Sequence, residues 1–126
     1  EQLMNIKSFK TQILLFYILF MFLNSVLPAF GSNNLWKWDK TIHFVEFFIL
    51  GYLFINALID TELHRYKFLI GILILTLIPV VDEGLQYVFD IPGRVADFYD
   101  FVVDIIGAYC GALLFLLIYK IRGKNG

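Results

Sequence analysis

The chain has 126 residues, enough for one domain, and 60% of them are hydrophobic, with a mean hydropathy of +0.75. Soluble domains carry roughly 45–50% apolar residues, so the composition points to a membrane protein. A net charge of −1, with no Lys/Arg stripe interleaved with aromatics, excludes a nucleic-acid binder.

Glu1-Gln2-Leu3 precede Met4, which reads as a natural start, so positions 1–3 are expected to be an expression remnant ahead of a single membrane domain within 1–126. Ile13 to Phe30 carries no charge and is long enough to cross a hydrocarbon core at about 1.5 Å per residue. Lys7 and Lys10 ahead of this run, with Ala29-Phe30-Gly31 behind it, also fit a secretory signal, but a span is the preferred reading. Asn24, Ser25 and Pro28 suit a helix end packed against neighbours better than one bathed in lipid. Trp36 and Trp38 then mark a membrane–water interface.

The second run, Thr41 to Ile59, opens on Asp39-Lys40 and carries His43 and Glu46 in its first turns. Spacings of four and three put Asp39, His43 and Glu46 on one helical face. The apolar character of the third run, Phe68 to Phe89, is interrupted by Pro79, then by Asp82, Glu83 and Gln86 near its end. Ile91-Pro92-Gly93-Arg94 is a turn signal. The fourth run, Phe101 to Ile121, follows Asp97 and Asp100 and is trailed by a basic tail. Its Asp97, Asp100, Asp104, Gly107 and Gly111 form a continuous stripe, in which the glycines admit another helix and the acids face the bundle interior. Cys110, the single cysteine, lies in this apolar run, forms no internal disulfide and reads as a small core hydrophobe.

These features predict an all-α, four-helix antiparallel transmembrane bundle. Lys7, Lys10, Arg65, Lys67, Lys120, Arg122 and Lys124 fall on the side of both termini, and only Lys37, Lys40 and Arg94 on the other. The positive-inside rule then places both termini in the cytoplasm and the polar cluster at the extracytoplasmic face.

Ionisable groups inside apolar spans are expensive, so each is a candidate for function. The cluster gathers Asp39, Lys40, His43, Glu46, Asp82, Glu83, Gln86, Arg94, Asp97, Asp100 and Asp104 as ligand-binding candidates. So many carboxylates cannot all be ionised in a low-dielectric pocket; some must be protonated, paired with Lys40 or Arg94, or bound to a cation. His43, Glu46, Asp82, Glu83, Asp100 and Asp104 are the candidate ligands of a divalent cation, with hard oxygen-liganded ions suiting the acid excess better than zinc. His43 and Glu46 give H-x-x-E, which lacks the second histidine of a zincin. Glu83, His43 and Glu46 are the candidate catalytic groups. Cys110 has no histidine near it in sequence, so no thiol nucleophile is indicated. His64, in the connection after the second run, reads as solvated.

Asp39-Lys40-x-x-His43-Phe44 with Glu46, then Leu50-Gly51, Asp82-Glu83-x-x-Gln86, Pro92-Gly93-Arg94 with Asp97 and Asp100, and finally Gly107 and Gly111, resemble in order the VanZ-like family of small bacterial membrane proteins. The resemblance spans Asp39 to Gly111; where the family commonly has asparagine, this chain has Asp104. It implies an integral protein of the bacterial cytoplasmic membrane linked to glycopeptide (teicoplanin) resistance. Some members carry the name phosphotransbutyrylase, for which this sequence has neither an acyl-enzyme nucleophile nor a nucleotide or coenzyme A loop.

Three functions follow as expectations. The first is binding of a membrane lipid headgroup or envelope precursor, with Lys40 and Arg94 gripping an anion. The second is an outer-leaflet intramembrane enzyme, a metal-assisted hydrolase or transferase on envelope lipids with Glu83 or Glu46 as base and His43 as proton shuttle. The third is a non-catalytic accessory subunit whose polar network locks the bundle. A proton or cation conductor is disfavoured, because the other halves of the spans offer only sparse groups such as Asn56 and Thr76.

Overall fold

The computed structural model describes residues 2–27, 39–62, 65–93 and 97–125. Their hydrophobic runs fold as four helices, α1 (Gln2–Val26), α2 (Asp39–Leu58), α3 (Lys67–Phe89) and α4 (Phe98–Asn125), with no strand among the described residues. All four are long and apolar enough to cross a membrane. Large apolar side chains such as Phe16, Leu73, Val88 and Leu113 are correspondingly turned outward, where lipid rather than water would cover them.

The 28 residues of α4 reach about 42 Å at 1.5 Å per residue, beyond a hydrocarbon core of about 30 Å, so the basic tail extends the helix. Helix α3 runs through Pro79 without a break, as a single span. A proline is tolerated in a membrane helix where neighbours and small local adjustments satisfy the carbonyl it frees. What stops α3 is Asp90, whose left-handed backbone (φ 47°, ψ 56°) forms the C-terminal cap. Gly93, at φ 76°, carries the turn that follows.

Consecutive helices alternate in direction. Lys10 near the start of α1 pairs with Asp60 just past the end of α2, and the Tyr17 hydroxyl donates to the Glu46 carbonyl at 2.6 Å. Ser25 at the end of α1 meets Gln86 at the end of α3. The most extensive contact, however, joins the parallel and non-consecutive pair α2 and α4, while α1 and α4 do not meet among the described residues. This pair approaches backbone to backbone. A Cβ on Gly51 would fall on the Ala108 carbonyl, one on Gly107 would lie 2.6 Å from the Phe44 carbonyl oxygen, and one on Gly111 would collide with the Phe48 carbonyl. Phe47, Leu50, Phe54, Leu75, Met21 and Ala108 fill the core around that seam.

The seam gives a direct test. Gly111→Ala should destabilise the bundle by roughly 1–3 kcal/mol or more, since the carbonyl it strikes belongs to a rigid helix. Gly84→Ala meets nothing within 4 Å and should be neutral or stabilising by about 0.5–1 kcal/mol. Thermal unfolding in detergent micelles distinguishes the two; equal effects would refute the close approach.

Candidate functional site

Alternation of helix direction brings the start of α2, the end of α3 and the start of α4 to one end of the bundle. Asp97 sits just before α4 and accepts from the Tyr99 N–H at 2.9 Å, an N-cap that satisfies one of the free amides of the first turn. Asp100 and Asp104 follow one and two turns further in, on the face that carries Gly107 and Gly111 towards α2.

Because that seam is tight, side chains of α2 and α4 meet directly above it. His43 Nδ1 lies 2.8 Å from Asp104 Oδ1, with both residues buried and Asp104 wholly inaccessible. With Asp104 ionised, this bond places the proton on Nδ1; with Asp104 protonated, Nδ1 accepts instead. Nε2 is left facing Asp39 Oδ1 at 3.8 Å. Lys40, half exposed at the rim, bonds Asp100 Oδ1 at 2.9 Å and reaches Asp97 Oδ2 at 3.5 Å. Its ammonium also stands 5.9 Å from the Tyr99 ring centre, within cation–π range.

Helix α3 contributes Glu83, whose Oε2 accepts from the Asp97 N–H at 3.4 Å. The other oxygen, Glu83 Oε1, and Asp104 Oδ2 are buried without a hydrogen-bond partner among the described residues. Two groups of three ligand-capable side chains result, each with its atoms within 4.8 Å of one another: His43 with Glu83 and Asp104, fully buried, and His43 with Asp39 and Asp100, open at Asp39.

Of the residues expected at the site, Asp39, Lys40, His43, Glu83, Asp97, Asp100 and Asp104 are therefore brought together. Glu46 and Asp82 enter neither group. The buried face of α2 continues from His43 through Phe47 and Leu50, leaving Glu46 half-buried on the flank that α1 covers. Asp82 is buried, and its backbone carbonyl accepts from Ser25 Oγ at 3.5 Å; Gln86 in turn donates to Ser25 Oγ at 3.1 Å. Arg94, Trp36, Trp38 and His64 lie outside the described residues. Ser25 is a member of the polar layer that the motifs did not reveal. The available signal was its place at the end of a stripe formed by Lys10, Leu14, Tyr17, Met21 and Ser25, spaced four, three, four and four. A separate apolar groove of about 490 Å³ lies between α1 and α2, lined by Gln12, Ile13, Phe16, Tyr17, Phe20 and Leu53. It is distinct from the acidic cluster.

The VanZ/LLP1 family model matches residues 2–119. The chain belongs to this VanZ-like family. The match takes in α1 and most of α4, and so extends beyond the Asp39–Gly111 segment that carries the recognisable motifs. No curated protein and no solved structure matches the chain.

In this VanZ-like chain the buried site combines one imidazole, several carboxylates and one rim ammonium. That set can hold a cation or an ammonium group and can move a proton between His43 and Asp104. The buried pair and the rim pair should respond differently to truncation. His43→Ala leaves Asp104 buried without its partner and should lower stability by about 3–5 kcal/mol. Lys40→Ala breaks a solvent-screened pair and should change stability little. Denaturant unfolding in mixed micelles measures both, and a His43→Ala variant as stable as the parent would refute the buried pair.

Proposed function

We propose that this chain is a bacterial cell-envelope membrane protein, linked through its family name to glycopeptide resistance, that handles a lipid headgroup or envelope precursor at the polar end of its bundle. The reading rests on one observation. Lys40, His43, Glu83, Asp100 and Asp104, from three separate helices, converge beneath one end of the bundle, and chains rarely retain ionisable groups in spans without a use for them.

Orientation supports the same reading. Seven of the ten Lys and Arg residues belong to the end with both termini, which by the positive-inside rule faces the cytoplasm and sets the polar end at the outer leaflet. Acids outnumber cations in the cluster, so it suits a headgroup that offers an ammonium to Asp39 and Asp100 while a phosphate engages Lys40 at the rim. Both Asp39 and Lys40 are about half exposed, at 47% and 53% of their side chains, and can be reached from the membrane surface.

The test is photo-crosslinking from position 99, an exposed site beside Lys40, in vesicles of phosphatidylethanolamine, phosphatidylglycerol and a polyprenyl-phosphate precursor. Amine-bearing phospholipid or precursor should be captured several-fold above its share of the bilayer, and Asp100→Asn should remove the excess. Capture in proportion to bulk lipid, with and without magnesium, would end this reading.

A further inference from the structure

We infer that His43, Glu83 and Asp104 form a binding site for one first-row divalent cation, of the Mn²⁺ or Zn²⁺ class. Acidic clusters are common without ions. This one differs in what it leaves unanswered: Glu83 Oε1 and Asp104 Oδ2 are two buried acid oxygens of the same group, each without a hydrogen-bond partner among the described residues. Glu83 is 8% exposed and Asp104 0%, so bulk water does not solvate them. Leaving such a group unmet is among the costliest arrangements a protein interior can hold.

The spacing of the group admits a metal. The ligand atoms of the three residues lie within 4.8 Å of one another, whereas two ligands on opposite sides of an ion at about 2.1 Å are roughly 4.2 Å apart. Each residue comes from a different helix, so an ion here ties α2, α3 and α4 together at the point where backbone hydrogen bonding offers no link between them.

The donor set selects the ion. One imidazole nitrogen and two carboxylates are softer than the all-oxygen shells preferred by Mg²⁺ and Ca²⁺, and lack the thiolates that mark structural zinc. Two carboxylates also balance a divalent charge, which matters where neighbouring Asp100 is already committed to Lys40. A bound cation would further turn an anion-repelling pocket into one that accepts a phosphate. That consequence depends on the headgroup reading above, whereas the ion site does not.

The experiment uses the full chain, purified in detergent, stripped with chelator and titrated with MnCl₂, with bound Mn²⁺ followed by electron paramagnetic resonance and stability by thermal melting. One Mn²⁺ per chain and a rise in Tm are expected. Glu83→Gln and Asp104→Asn, close in shape to the parent residues, should each weaken binding by more than the roughly 10–100-fold seen when a supporting partner is lost. Glu62→Gln, which removes an exposed acid at the opposite end, should leave binding unchanged. Absence of stoichiometric binding by the parent chain would overturn the site, as would binding equally weakened by Glu62→Gln. Loss through Asp39→Asn with indifference to Glu83→Gln would move the ion to the outer group and overturn the assignment. A preference for Ca²⁺ or Mg²⁺ over Mn²⁺ would overturn the ion class. Since no lipid is added, failure here leaves the crosslinking result to stand or fall by itself.

Discussion

The backbone contact between α2 and α4 is the constraint on which the remaining structure depends. Gly51, Gly107 and Gly111 leave no room for a side chain between the two helices, and in a membrane such close approach supplies van der Waals contact that apolar burial alone does not, since lipid is as apolar as the core. The same closeness sets the reach of the residues above the seam. With the helices parallel, His43 stands opposite Asp104 and Lys40 opposite Asp100. An added methyl group at the seam would therefore disturb the polar cluster as well as the packing.

The two ends of the bundle handle charge in different ways. At the end carrying the termini, Lys7 with Glu62 and Lys10 with Asp60 are at or near the surface, and Lys67 donates to the Ile59 and Thr61 carbonyls past the end of α2. These are ordinary devices for finishing helices beside water. At the other end the charges run inward: Asp97 caps α4 at the rim, Asp100 lies a turn below with Lys40, and Asp104 is sealed beneath with His43. Polarity thus forms a descending column on α4, met from α2 and α3.

Much of this was legible in the sequence because helical periodicity carries it. The four charge-poor runs fold as the four helices, and the stripe does face inward from Asp100 to Gly111, with Asp97 at the rim. The α2 stripe was only partly legible. From His43, positions 46 and 47 fall on opposite flanks of the same face, and only the approach of the neighbouring helices decides that Phe47 is buried in the core while Glu46 is turned towards α1. A lone hydroxyl has no signature, so the sequence marks Ser25 only as part of a packed helix end, whereas its contacts with Asp82 and Gln86 make α1 part of the polar layer.

Stability alone gives a poor account of why the cluster exists. Replacing buried ionic groups by well-packed apolar ones is often neutral or stabilising, and the surrounding core of Phe47, Leu50 and Ala108 shows that this bundle packs apolar side chains tightly. A purely locking network would also be expected to satisfy its own members, as the Ser25–Gln86 link and the Lys40–Asp100 pair do. Glu83 and Asp104 instead each keep one oxygen unmatched among the described residues, in the same small group, on different helices. A divalent cation of the kind inferred above would meet both oxygens at once, which a locking role alone does not require.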